Sequence, residues 1–104
     1  MKLTVAGFDW DSGNQTKCQS HGVSIAEIEE LFAGIVYVAP APIRPDGEER
    51  FIAIGRSHAG RALFAAFTLR TKDNRQLIRP ISARYMHAKE VEAYEKASPE
   101  TKDR

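Results

Sequence analysis

Eight cationic side chains fall within residues 50–84: Arg50, Arg56, Arg61, Arg70, Lys72, Arg75, Arg79 and Arg84, against Asp73 as the only acid. Most are arginine, whose planar fork of donors matches phosphate or carboxylate oxygens two at a time. The block therefore suits an anionic ligand, with nucleic acid the first candidate. The simpler reading pairs each arginine with a carboxylate such as Glu48, Glu49 or Glu90. His21 adds an imidazole, which titrates near neutrality and can serve as a general acid or base. It precedes Gly22 at an expected helix end, where it could instead cap carbonyls.

The other reactive residue types read as structural. His58 falls in a turn and His87 at the start of a helix. The three histidines form no i,i+4 pair, and no metal-ligand spacing, Gly-rich phosphate loop or Ser-His-Asp order is present. No metal and no cofactor are expected. Cys18, the single cysteine, reads as a small packed side chain, and Trp10 as a core anchor. One cysteine allows no intrachain disulfide.

The charge is segregated along the chain. The whole of it carries +1 over 104 residues, while residues 1–49 carry −5, residues 50–84 carry +7 and residues 85–104 carry −1. Length and a 42% hydrophobic content give one soluble globular domain over residues 1–97, followed by a polar tail at 98–104. No apolar run reaches the roughly 20 residues of a membrane span. The N-terminal MKLTVAGFDWD turns acidic too soon for a signal peptide, so a cytoplasmic location is expected.

The elements that must position these groups are legible in outline. Val5–Trp10 is an entry segment, and Asp11 or Ser12 can cap a short helix over residues 12–21 that stops at Gly22. Ser24 and Glu27 form a capping box ahead of Ile25, Ile28, Leu31 and Phe32 at helical spacing, with Gly34 as the stop. Ile35–Val38 is a strand, ended by Ala39-Pro40-Ala41-Pro42 and a stiff loop through Pro45-Asp46-Gly47. Arg50–Gly55, residues 61–70 and Leu77–Ala83 are three further strands, joined by turns at Ser57–Gly60 and Lys72–Arg75. Pro80 cannot donate to a sheet ladder, which marks a bulge or an edge. Strict alternation would put Arg79 and Arg84 on opposite faces; a bulge at Pro80 would shift that. His87–Lys96 is a closing helix. The expectation is an α+β domain: N-terminal helices, a four-stranded antiparallel sheet, and a C-terminal helix.

Together these motifs resemble the BrnT toxin family of bacterial toxin–antitoxin systems, over about residues 8–94. The resemblance rests on Phe8-Asp9-Trp10-Asp11, His21-Gly22-Val23-Ser24, Glu48-Glu49-Arg50, Ile54-Gly55-Arg56, Gly60-Arg61 through Phe67-Thr68-Leu69-Arg70, Ile78-Arg79-Pro80-Ile81-Ser82-Ala83-Arg84, Glu90 and Tyr94. It implies a RelE-like ribonuclease that cleaves RNA without metal and arrests growth. It also implies a BrnA-type antitoxin with a ribbon-helix-helix part, a heterotetrameric complex, and DNA contact only through that antitoxin. Three departures stand out: Ser20 where the family usually has Lys, Cys18 where it has Asn, and Pro80 where it has a β-branched residue.

Such chemistry needs a base for the 2′-hydroxyl, positive charge at the pentacovalent phosphorus and an acid for the leaving 5′-oxygen. The sequence offers His21 as acid or base and Arg70, Arg79 and Arg84 as the catalytic clamp. Lys17, Arg50, Arg56 and Arg61 are the expected RNA contacts. Glu90 and Tyr94 could orient an arginine. The alternative is a catalytically weakened toxin homologue that serves as an antitoxin-binding module. A DNA-binding regulator is weaker still, since no helix carries a basic recognition face.

Overall fold

Two helices begin by the same device. In the computed structural model, which describes residues 6–34, 36–42, 45 and 47–97, Asp11 caps α1 (Ser12–Cys18) and Ser24 caps α2 (Ile25–Ala33). Each side chain accepts from an amide three residues on, and that residue's side chain, Asn14 or Glu27, accepts from the cap's own N–H. α1 ends at Cys18 rather than reaching residue 21, and Gly22, at φ +89°, turns the chain into α2.

The strands are β1 (Gly7–Phe8), β2 (Tyr37–Pro40), β3 (Phe51–Arg56), β4 (Ala62–Lys72) and β5 (Arg75–Tyr85), followed by α3 (Ala88–Ala97). They form one sheet in the order β1-β5-β4-β3-β2. The sheet is therefore five-stranded and mixed, which corrects the expected four antiparallel strands. The addition is β1, which pairs parallel to β5 through Gly7–Leu77 and Phe8–Ile78. Two residues are too few to show a period, and β1 exists because the outer edge of β5 leaves N–H and C=O groups to be paired. β2 also runs on through Ala39 and Pro40, where a stop was expected. As an edge strand it tolerates a residue without an N–H. Ile35, Asp46 and the tail 98–104 lie outside the described residues.

The β4–β5 turn is Asp73-Asn74, both in left-handed conformation (φ 53° and 62°), as a two-residue hairpin loop requires. At the other end of β5 a register shift decides the layout of the molecule. Ala66 pairs with Ser82 while its neighbour Phe67 pairs with Pro80, so Ile81 is an extra residue on β5. Partners across a ladder share a face. One face thus carries Phe64, Ala66, Thr68 and Arg70 of β4 with Arg84, Ser82, Arg79 and Leu77 of β5. Ile52 and Ile54 of β3 join it.

The opposite face holds the core. Ala53, Leu63, Ala65, Phe67, Ile78 and Ala83 are buried there against Ile28 and Leu31 of α2 and against Cys18 and Val23. Phe67 stacks on Phe51 at 5.4 Å and meets the edge of Phe32 at 5.1 Å. Trp10 packs on this cluster and donates its indole N–H to Glu29 at 2.9 Å.

Candidate active site

The face away from the core is where the arginines gather, and α1 is pinned beside it by a single amide. Asn14 is buried and donates to the carbonyls of Asp9 (3.0 Å) and Pro80 (2.9 Å), while its oxygen accepts from the N–H of Asp11 (2.7 Å). The proline that breaks the ladder thus has its carbonyl taken by α1. This joint sets Lys17 on α1, and the turn that follows, against β5. The turn is held from its other end by Tyr85, whose hydroxyl donates to Glu27 at 2.6 Å and lies 3.4 Å from the Gly22 carbonyl. That contact holds the Glu27 carboxyl below its usual range, Tyr85 being the main cause, and pushes the phenol up.

Two cavities follow one another along this face. The first, about 280 Å³, brings His21 together with Ser82, Arg84, Phe64 and Ala66. The His21 imidazole is exposed and has no hydrogen-bond partner among the described residues. Arg84 is fixed on three sides. It lies 4.4 Å over the Phe64 ring, reaches the Tyr85 carbonyl at 3.2 Å, and makes a two-pronged pair with Glu90 at 2.9 Å per contact. Glu90 also accepts from the N–H of His87 at 2.8 Å, at the start of α3. Arg84 and this amide together hold the Glu90 carboxyl down at about 2, and Glu90 raises Arg84 in turn.

The second cavity, about 290 Å³, gathers Lys17, Arg50, Arg70 and Arg79 around Glu48 and Thr68. Arg70 pairs with Glu48 at 3.0 Å, and Arg50 lies 3.7 Å from the same carboxylate. Arg79 pairs with Asp11 at 2.8 Å and Asp9 at 3.5 Å, and Asp9 also takes Lys72 at 2.9 Å. The Asn14 amide and Arg79 hold the Asp11 carboxyl below its ordinary value. Lys17 has no carboxylate partner among the described residues.

Four expected residues are thus joined by two expected contacts, but in two groups: His21 with Arg84, and Arg70 with Arg79, Lys17 and Arg50. Arg56 and Arg61 line neither cavity. Arg56 binds Glu95 of α3 at 2.6 Å, and Arg61 lies 3.5 Å over Tyr85. Ser82, Asn14, Asp9 and Asp11 were not singled out for this site; Asn14 and Asp11 reach Pro80 and Arg79, far away in the chain, which no local pattern announces. Cys18 is fully buried and its thiol is pushed up to about 11 by that burial, so it is a packing residue. Among the described residues no helix is long and apolar enough to cross a membrane, and no three His, Cys, Asp or Glu side chains come together as metal ligands.

The described residues thus form an α+β domain with an imidazole and oriented guanidiniums on its open sheet face, side chains whose donors match phosphate oxygens. The comparison with known families is more specific. The family model described as "Ribonuclease toxin, BrnT, of type II toxin-antitoxin system" matches residues 10–90, and the chain belongs to that family. The family is one of ribonuclease toxins, and its type implies an antitoxin partner. A search of curated proteins finds no match.

Proposed function

We propose that this protein is a metal-independent, RelE-like endoribonuclease whose reacting phosphate sits between His21 and Arg84. The observation that supports this most is the bulge at Ile81, which puts Arg84 and Arg79 on one face beside the His21 turn. The 2′-oxygen of one nucleotide attacks its own 3′-phosphorus, the bond from phosphorus to the 5′-oxygen breaks, and a 2′,3′-cyclic phosphate and a 5′-hydroxyl result. One proton leaves O2′ and one arrives on O5′, so His21 can act at either end. Arg84, pre-oriented by Glu90, stabilises the charge that builds on the phosphoryl oxygens. Arg70, Arg79, Lys17 and Arg50 hold neighbouring phosphates of the strand. The protein arrests growth in the cytoplasm, and a BrnA-like antitoxin neutralises it in a heterotetramer whose ribbon-helix-helix part contacts promoter DNA.

The test is expression of this chain alone and with its neighbouring gene. Growth arrest with RNA ending in 2′,3′-cyclic phosphate, insensitive to EDTA and lost in His21→Ala and Arg84→Ala, is the expected outcome. RNA ends bearing only 3′-hydroxyl groups overturn it. A second reading, a weakened toxin homologue that binds antitoxin, is favoured by two observations. Arg70, Arg79 and Arg84 each already hold a carboxylate, while Ser20, where the resemblance expects lysine, spends its hydroxyl on the Lys17 carbonyl at 2.8 Å. Ser20→Lys raises cleavage in a weakened nuclease and changes nothing in a pure binding module.

A further inference from the structure

A further cavity lies apart from the two cationic ones. It measures about 400 Å³, within the ~300–1,000 Å³ typical of small-molecule sites. It lies under α3, on the same sheet face as the candidate active site, and its wall is almost wholly apolar. Tyr37 and Tyr94 meet edge to face at 6.0 Å on one side of it, and Ile54, Phe64 and Met86 complete the floor. Two features tie it to the cavity that holds His21. Phe64 lines both. The wall between them is the Arg84–Glu90 pair, with Arg84 on the His21 side and Glu90 on the apolar side.

We propose that this cavity is a nucleobase site, holding the base on one side of the phosphate that His21 and Arg84 engage. The proposal rests on the ribonuclease reading above. A phosphate placed at Arg84 has its attached nucleoside within reach of Phe64, and beyond Phe64 lies a continuous concave surface that is aromatic and apolar. Unstacked bases of single-stranded RNA are held on such surfaces. Glu90 is the one charged lining residue, and both its oxygens are occupied by Arg84 and the His87 N–H. Recognition is therefore by stacking and shape, with little hydrogen-bond readout, and the site tolerates every base while preferring the larger stacking area of purines.

The experiment uses the full chain and uncleavable tetranucleotides, 2′-O-methylated throughout, with the base present or removed at each position in turn. Binding is read by fluorescence anisotropy, and cleavage of unmodified RNA is measured in parallel. Removing the base at one position weakens binding about 5- to 150-fold, the range of a single stacked base. Ala93→Leu, which fills the cavity from α3, binds the complete and the base-less probe equally weakly. Ala39→Leu fills it from β2 and gives the same result, so that a folding defect in one variant does not decide the matter. Equal affinity for all probes, with RNA still cleaved, overturns the base site and leaves the ribonuclease reading intact. Filling variants that lose antitoxin but keep RNA affinity overturn it in favour of a polypeptide occupant. Absence of both binding and cleavage overturns the two together.

Discussion

Asn14 carries more of this molecule than its place in a seven-residue helix suggests, and its replacement is a quantitative test of how α1 is held. Asn14→Ala removes three side-chain hydrogen bonds: two donated to the buried carbonyls of Asp9 and Pro80, and one accepted from Asp11. At about 1 kcal/mol net for each, the loss is about 3 kcal/mol. A domain of this size has about 5–15 kcal/mol in total, so the variant still folds. Its melting temperature falls by about 12–24 °C, at ~4–8 °C per kcal/mol. Asn14→Asp is the sharper variant because it preserves shape. Its carboxylate still accepts from Asp11 but turns an acceptor toward two carbonyl oxygens, with Asp9 and Asp11 nearby. The introduced group has its folded pKa raised. It therefore binds protons more readily in the folded state, and stability falls as pH rises through the carboxylate range. Urea unfolding followed by circular dichroism at several pH values reads both effects, with the slope m unchanged. A loss below about 1 kcal/mol for Asn14→Ala, or Asn14→Asp more stable than Asn14→Ala at neutral pH, refutes the reasoning. Because α1 leads directly into the His21 turn, both variants also lose RNA cleavage at temperatures where they remain folded.

Three further outcomes are expected. Tyr85→Phe removes the 2.6 Å bond that lowers the Glu27 carboxyl; a depressed folded pKa gives stability above the usual carboxylate range and loses it as pH falls. The variant thus costs about 1 kcal/mol at pH 7 after screening, and its acid-induced loss of stability is shallower, measured by urea titration from pH 7 to 3. Cys18, with its thiol pushed up to about 11 and no exposed surface, reacts with a disulfide reagent at pH 8 only in denaturant; labelling of the native protein within minutes contradicts the packing. Glu90, held down at about 2, stays ionised throughout the neutral range. Glu90→Gln therefore lowers the single-turnover cleavage rate about ten- to hundredfold by loosening Arg84, with the fold kept; an unchanged rate contradicts that positioning role.

What was legible in the sequence follows local rules. The Ser24–Glu27 box, the hairpin turns and the meaning of Pro80 each depend on residues within a few positions of one another, and all stand in the structure; the helix expected to run to Gly22 ends at Cys18 instead. Glu90 as a partner for an arginine was also within reach, because Arg84 lies only six residues away. The missing parts are non-local. β1 is two residues long and is defined by the edge it completes. Asp9 and Asp11 look like ordinary helix-start acids, and nothing near them announces Arg79. Asn14 reads locally as a weak helix former and a capping partner; its two structural bonds reach back to Asp9 and across to Pro80. The expected clamp of Arg70, Arg79 and Arg84 separates into two cavities for a similar reason: its geometry depends on β4–β5 register and on what stands between them.

That register is the strongest link from sequence to function. Proline has no N–H, so β5 cannot continue its ladder unbroken at Pro80, and the strand absorbs the break by bulging at Ile81. The cost of the irregularity is offset on the spot, since the Pro80 carbonyl finds the Asn14 amide. Without the extra residue, Ser82 and Arg84 would turn toward the core face occupied by Phe67 and Leu63, where a guanidinium without a partner is costly. With it, Arg84 reaches Phe64 and Glu90, Ser82 faces the His21 turn, and Arg79 stays on the same surface. One residue that forbids regular pairing thereby both anchors α1, which leads to His21, and brings Arg84 to the face that His21 adjoins.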